Sequence, residues 1–189
     1  MSRSSEFNIG DLIKTILIAL VISILIEKYL ISLTVVSGDS MMSTLHNNDR
    51  LVIEKMSYRF DSPERGEIII FEPPIYGREN EIFVKRVVAI SGDKYKVEEN
   101  KVYINGELLK EEYAYNNDGS NLPYPFTEGI VPKESVFVLG DNRNNSNDSR
   151  MFGYVTLDRI KGKVFTKIWP IKSHSIIKAS YNLENDINK

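Results

Sequence analysis

The run Ile16-Leu17-Ile18-Ala19-Leu20-Val21-Ile22-Ser23-Ile24-Leu25-Ile26 constrains this chain more than any other stretch, because it is apolar throughout except for one serine. Alone it is too short for a hydrocarbon core, which takes about 20 helical residues. Extended from Leu12 to Leu33 it suffices, with Lys14, Glu27 and Lys28 near the two interfaces, where lysine stems snorkel. Three readings compete: an uncleaved anchor, a cleaved export signal and a buried core helix. No Ala-x-Ala site follows the run, and no second helix of this kind is present to bury it, so an anchor over 12–33 is the expectation. Arg3 and Lys14 precede the span, whereas Arg50 is the first basic residue well beyond it. The positive-inside bias then places residues 1–11 in the cytoplasm and the rest outside.

With 189 residues, the remainder suits one domain with a real core. A net charge of −2 argues against a general nucleic-acid binder, and the lack of cysteine removes disulfides, thiolate nucleophiles and Cys-based metal sites. From Leu51 onward strand and turn dominate. Leu51 to Lys55, Gly66 to Phe71, Glu81 to Ile90, Tyr95 to Glu98, Lys101 to Ile104, Ser135 to Leu139 and Lys163 to Trp169 read as strands, punctuated by Pro73-Pro74, Ser91-Gly92-Asp93 and Asn105-Gly106. Residues 111–132, rich in Asn, Asp, Gly and Pro, read as an exposed insertion without a core of its own. The expectation is a mainly β domain over 34–175 behind the helix, with a polar tail at 176–189.

Ser40, in Ser37-Gly38-Asp39-Ser40-Met41-Met42-Ser43-Thr44-Leu45, is a candidate nucleophile a few residues past the apolar span. A serine needs a base. His46 lies in a polar turn and His174 near the end, with no carboxylate arranged for a Ser-His-Asp set, and Asp and Glu show no metal-ligand spacing. Lys85 is out of place in its strand, among Phe83, Val84, Val87 and Val88, and period-two alternation sends Lys85 and Arg86 to opposite faces. A buried lysine loses several units from its usual value of about 10.4 and can serve as a base. The competing reading puts Lys85 on the solvent face of an edge strand. A second polar run, Gly140 to Arg150, holds no apolar residue; it is either a solvated loop or a scaffold of short side chains that hold backbone and each other.

Taken in order, Ser37 to Leu45, Asn48 to Lys55, Arg65 to Phe71, Lys85 to Asp93 and Gly140 to Arg150, behind an anchor-like segment, resemble the type I signal peptidases, membrane-bound Ser-Lys endopeptidases that remove signal peptides from exported proteins. The resemblance spans residues 12 to about 169. It implies Ser40 as nucleophile, Lys85 as general base, Ser146 as the hydroxyl that orients the lysine amine, and Asp148–Arg150 and Asp141–Arg86 as supporting ion pairs. Val36, Met41, Leu45 and Phe83 become candidates to line the substrate pockets, which in the family accept small residues. Two departures stand out. Ser43 replaces a proline common in relatives. Gly38 occupies a position where some relatives place a serine that donates to the oxyanion, so this oxyanion-side turn would rely on backbone N–H groups, as in the Gram-positive branch. The resemblance implies no cofactor and no metal, preproteins and the lipid bilayer as partners rather than nucleic acid, and a single-pass cell-membrane protein with its catalytic domain outside. Three rivals are a catalytically silent relative acting in assembly or as a chaperone, a self-cleaving repressor-type Ser-Lys protease, and an anchored domain that only binds partners.

Overall fold

A computed structural model describes residues 9–99, 101–115, 124–170, 175–176 and 182–183. His174, most of the polar tail, and 116–123 of the expected insertion lie outside the described residues.

The apolar run forms helix α1, Ile9–Tyr29, and none of its residues is buried against protein. A helix apolar all round and bare of protein matches a membrane anchor and removes the buried-core reading. It ends earlier than the sequence suggests. Its last residues lead into strand β1, Ile31–Val35, so Leu33 belongs to the sheet rather than to the span.

The strands that follow are β2 (Arg50–Glu54), β3 (Ile68–Phe71), β4 (Phe83–Ile90), β5 (Lys94–Glu98), β6 (Lys101–Ile104), β7 (Glu107–Lys110), β8 (Glu128–Ile130), β9 (Ser135–Leu139), β10 (Val155–Thr156), β11 (Ile160–Trp169), β12 (Ser175–Ile176) and β13 (Asn182–Leu183), with a one-turn helix α2 at Ser149–Phe152. The larger sheet has the order β1-β2-β11-β3-β4-β9-β10, with β12 also on β11; the smaller runs β13-β7-β6-β5-β8. Every ladder in both is antiparallel, and the architecture is mainly β, as the strand pattern predicts.

β4 is the hub. It pairs with β3 through Ile69↔Lys85 and Ile68↔Arg86, and with β9 through Arg86↔Leu139 and Val87↔Val138. Its two faces feed different clusters: Val84 packs against the core under Val36, Met41, Leu45, Leu51 and Ile53, while Val87 joins Ile69, Phe71, Val136 and Val138. Further along, Val88 and Ala89 reach the cluster built from Tyr95, Val102, Ile104 and Phe137. A strand buried on both faces reads as a continuous β-branched run, which explains how legible β4 is.

The insertion departs from its reading as a coreless loop. Strand β8 pairs with β5, Val131 is fully buried in the core of the smaller sheet, and Glu111 is locked into an ion pair. Composition misleads here because Asn, Pro and Gly dominate only the middle of the segment.

Candidate active site

The turn that carries Ser40 is built by backbone geometry. Val36 exchanges hydrogen bonds with Asp49 O (2.8 Å) and Asn48 N (2.9 Å), continuing the edge of the sheet. Gly38, with φ of 91°, then turns the chain through a left-handed conformation that favours glycine, and its N–H donates to Asn47 Oδ1 at 3.0 Å. Residues 40–45 close a single turn through Leu45 N to Met41 O, 2.8 Å. Positions 41 and 45 share the inward face of that turn, so Met41 and Leu45 enter the core and Ser40 stays at the rim.

Lys85 arrives from β4. Its Nζ lies 2.7 Å from Ser40 Oγ and 2.9 Å from Val84 O. Only 4% of the residue is exposed, so the solvent-face reading gives way, although Lys85 stands on the stretch of β4 that β3 pairs and β9 leaves open. Burial lowers the ammonium from its ordinary 10.5 to about 8, against an upward pull from Asp148 and Asp141. A buried amine without a carboxylate in contact, one hydrogen bond from a serine hydroxyl, can take that hydroxyl's proton at mildly alkaline pH.

The polar run Gly140 to Arg150 is a scaffold, not a solvated loop. Asp141, Asn142, Arg143, Asp148, Ser149 and Arg150 are all buried. Arg86 Nε and Nη2 grip Asp141 at 2.9 and 2.7 Å, and Nη1 donates to Gly66 O at 2.9 Å. Asp148 caps α2, receives Gly140 N at 3.1 Å, and holds Arg150 at 2.9 and 2.8 Å; Arg150 in turn donates to Arg143 O at 2.7 Å. Both ion pairs expected from the resemblance are therefore formed. Ser146 packs against Gly140, but its hydroxyl is buried without a hydrogen-bond partner and makes no bond to Lys85.

Several residues went unnoticed in the sequence. Asn142 binds the nucleophile turn twice, N–H to Ser40 O (3.0 Å) and Nδ2 to Asp39 O (3.1 Å). Thr44 donates to Asp141 and accepts from Arg86. Glu111 pairs with Arg143, with both side chains buried, and the Arg86 guanidinium stacks 3.8 Å from the Tyr113 ring centroid. Asn142 sits inside the singled-out run; Glu111 and Tyr113, a charge and an aromatic at the start of a polar insertion, carry no local signal.

A groove of about 580 Å³ runs past Ser40 and Lys85 and is lined by Val36, Met41, Phe83 and Val84 among others. Leu45 is not among its walls. It is fully buried in the core beneath, one helical turn on from Met41, and this corrects its candidacy as a pocket residue.

A β domain behind an apolar helix that fits a membrane anchor, with a serine hydroxyl 2.7 Å from a buried lysine amine, is compatible with a Ser-Lys hydrolase. Residues 9–169 match the family described as signal peptidase, peptidase S26, and the chain belongs to that family. Signal peptidase I of Leptolyngbya laminosa is 39% identical over 164 residues, covering 84% of this chain and 79% of that protein. Signal peptidase IB of Staphylococcus aureus is 31% identical over 188 residues, covering 92% and 95%. The crystal structure of a signal peptidase I from Enterococcus faecalis is 32% identical with a TM-score of 0.45, covering 55% of this chain and 97% of that one.

Proposed function

We propose that this chain cleaves signal peptides from exported preproteins with Ser40 as nucleophile and Lys85 as general base. The chain is a serine endopeptidase of the signal peptidase I type. The observation that carries the residue assignment is the 2.7 Å contact between Lys85 Nζ and Ser40 Oγ in a buried setting.

In the proposed reaction, neutral Lys85 accepts the Ser40 proton as Oγ attacks the scissile carbonyl carbon. The Gly38 N–H is already given to Asn47, so the Ser40 N–H is left to face the oxyanion. As the tetrahedral species collapses, the Lys85 ammonium protonates the departing amine. Neutral Lys85 then takes a proton from the water that attacks the ester carbonyl, and its ammonium returns that proton to Ser40 Oγ as the ester bond breaks. Ser146 would add a hydroxyl able to swing toward Lys85. Arg86–Asp141 and Asp148–Arg150 act through the backbone they hold.

Two free strand edges frame the substrate. Among the described residues β1 pairs with β2 alone and β9 joins β4 from Arg86 onward, which leaves the backbone of Phe83 to Lys85 open on that side. An extended peptide entering between them would gain main-chain hydrogen bonds, with Val36, Met41 and Phe83 shaping shallow apolar pockets. In this reading α1 spans the cell membrane, residues before it are cytoplasmic, and the groove lies outside, where preproteins emerge. Confinement of enzyme and substrate to one bilayer raises their effective concentration. No observation favours a silent relative.

Detergent-solubilised protein incubated with a model preprotein tests the assignment. Ser40→Ala and Lys85→Ala are each expected to lose at least about a thousandfold in turnover, the scale seen when a nucleophile or its base is removed. Normal processing by either variant would refute the dyad.

A further inference from the structure

Away from the groove, the end of α1 carries cations that the reaction does not use. Lys28, in the last turn of the helix, and Arg59, in the short turn Ser57–Arg59, flank one ring: their charged groups lie 5.3 and 5.1 Å from the centroid of Tyr29. Lys55 joins them, donating to Glu27 O at 2.9 Å. The three border a cavity of about 610 Å³ with Leu33 and Ile82 on its apolar side. Its carboxylate, Glu72, is occupied by Lys161 at 2.8 Å, and among the described residues no carboxylate pairs with Lys28, Lys55 or Arg59. Three uncompensated positive charges therefore converge on one concavity.

Depth identifies the anion. If α1 spans a bilayer, as proposed above, its 21 residues rise about 31 Å, one hydrocarbon thickness. Tyr29 then lies at the outer interface, the level where tyrosine and basic residues settle and where phospholipid phosphates lie. Apolar side chains surround the niche at that level: Phe60, 78% exposed, follows Arg59, Leu33 is 70% exposed, and Met56 and Ile82 are also open. These would lie against acyl chains while the cations face phosphate. A zwitterionic headgroup brings its own ammonium, which this charge excess repels; a net-negative headgroup does not.

We propose that the niche of Lys28, Lys55 and Arg59 binds the phosphate of an anionic phospholipid. Thr34 and Ile82 line both this cavity and the catalytic groove, so the bound lipid seats the membrane side of the groove at headgroup level.

The full chain, reconstituted in mixed vesicles of phosphatidylcholine and phosphatidylglycerol and extracted for native mass spectrometry, tests this. Wild type is expected to retain phosphatidylglycerol over phosphatidylcholine. Lys28→Gln and Arg59→Gln should each lower that preference about fivefold, and Arg59→Lys should restore it. Equal retention of the two lipids, or an unchanged preference in the Lys28→Gln/Arg59→Gln double variant, overturns the proposal. So does displacement of the lipid by inorganic phosphate at comparable concentration, which would mark a free-phosphate site. A raised KM for a preprotein with the double variant in lipid-free detergent would assign the niche to the substrate instead. Ser40→Ala should lose cleavage yet keep the lipid preference, which separates this inference from the dyad. A carbonate wash that strips the chain from vesicles would refute the membrane-span reading itself.

Discussion

At the scale of single residues, the proposed chemistry rests on Lys85. A lysine is a useful base only where its charged form is destabilised, and β4 achieves this by burying the amine against the Ser40 turn with Asp141 and Asp148 engaged elsewhere. Asp141 is held by Arg86 and Asp148 by Arg150, so both act on Lys85 only at a distance. The rate should therefore follow the neutral amine: kcat/KM for a preprotein rises with pH through about 8 and then levels. A profile flat between about pH 6 and 9, from two units below that value to one above it, would show that Lys85 is not the titrating base. Gly140 is a second decisive residue. A Cβ there would drive into Ser146 Oγ and the Ser40 carbonyl, closer than real Cβ atoms approach any neighbour. Gly140→Ala is expected to lower kcat by at least about tenfold while changing KM little, since about 1 Å of nucleophile displacement is enough to slow the chemical step strongly; steady-state kinetics on one preprotein separates the two.

At the scale of elements, the site depends on a central strand and on a strap that the sequence conceals. Residues 111–115 lie across the back of the catalytic scaffold: Glu111 pairs with buried Arg143, Tyr113 stacks on Arg86, and Tyr115 N donates to Asp141 O at 2.7 Å. Burial works against the Arg143 charge, and Glu111 overcomes it, keeping the guanidinium raised above its ordinary value. Glu111→Ala would leave that cation buried without its carboxylate, with the Gly140 carbonyl still accepting from Nε, a change that typically destabilises by about 3–5 kcal/mol. Chemical denaturation in detergent should show the loss, whereas Glu112→Ala, at the exposed neighbour, should change stability by less than about 0.5 kcal/mol. The strands themselves were easier to read. β3, β4 and β9 are β-branched runs, while β1 was hidden because its Ile31, Leu33 and Val35 continue the apolar composition of α1.

For the whole molecule, buried Lys85 is a stability liability with a pH signature. The folded state holds Lys85 near 8 and the unfolded chain near 10.5, so between those values the folded state binds fewer protons than the unfolded one. Stability then rises with pH across that window, and below it the buried charge opposes folding by about 3 kcal/mol. Lys85→Met is expected to raise the thermal midpoint at pH 7, with the advantage fading as pH approaches 10.5; an advantage that stays constant with pH would mean the amine is not desolvated in the fold.

The amino-acid sequence by itself determined the apolar helix and the mainly β domain, because periodicity and residue type are local properties, and its ordered motifs nominated Ser40 and Lys85 through resemblance to the family. It also anticipated the Asp148–Arg150 and Asp141–Arg86 pairs through resemblance. Only the tertiary structure decided that Lys85 is buried rather than solvated, that Leu45 belongs to the core, that the Ser146 hydroxyl stands without a hydrogen-bond partner, and that Glu111 and Asn142 hold the surrounding scaffold. Each of these depends on what lies across a sheet or behind a turn, contacts between residues up to about a hundred positions apart in the chain, such as the 103-residue separation between Asp39 and Asn142. Burial and hydrogen bonding are set by those distant neighbours, and no local pattern encodes them.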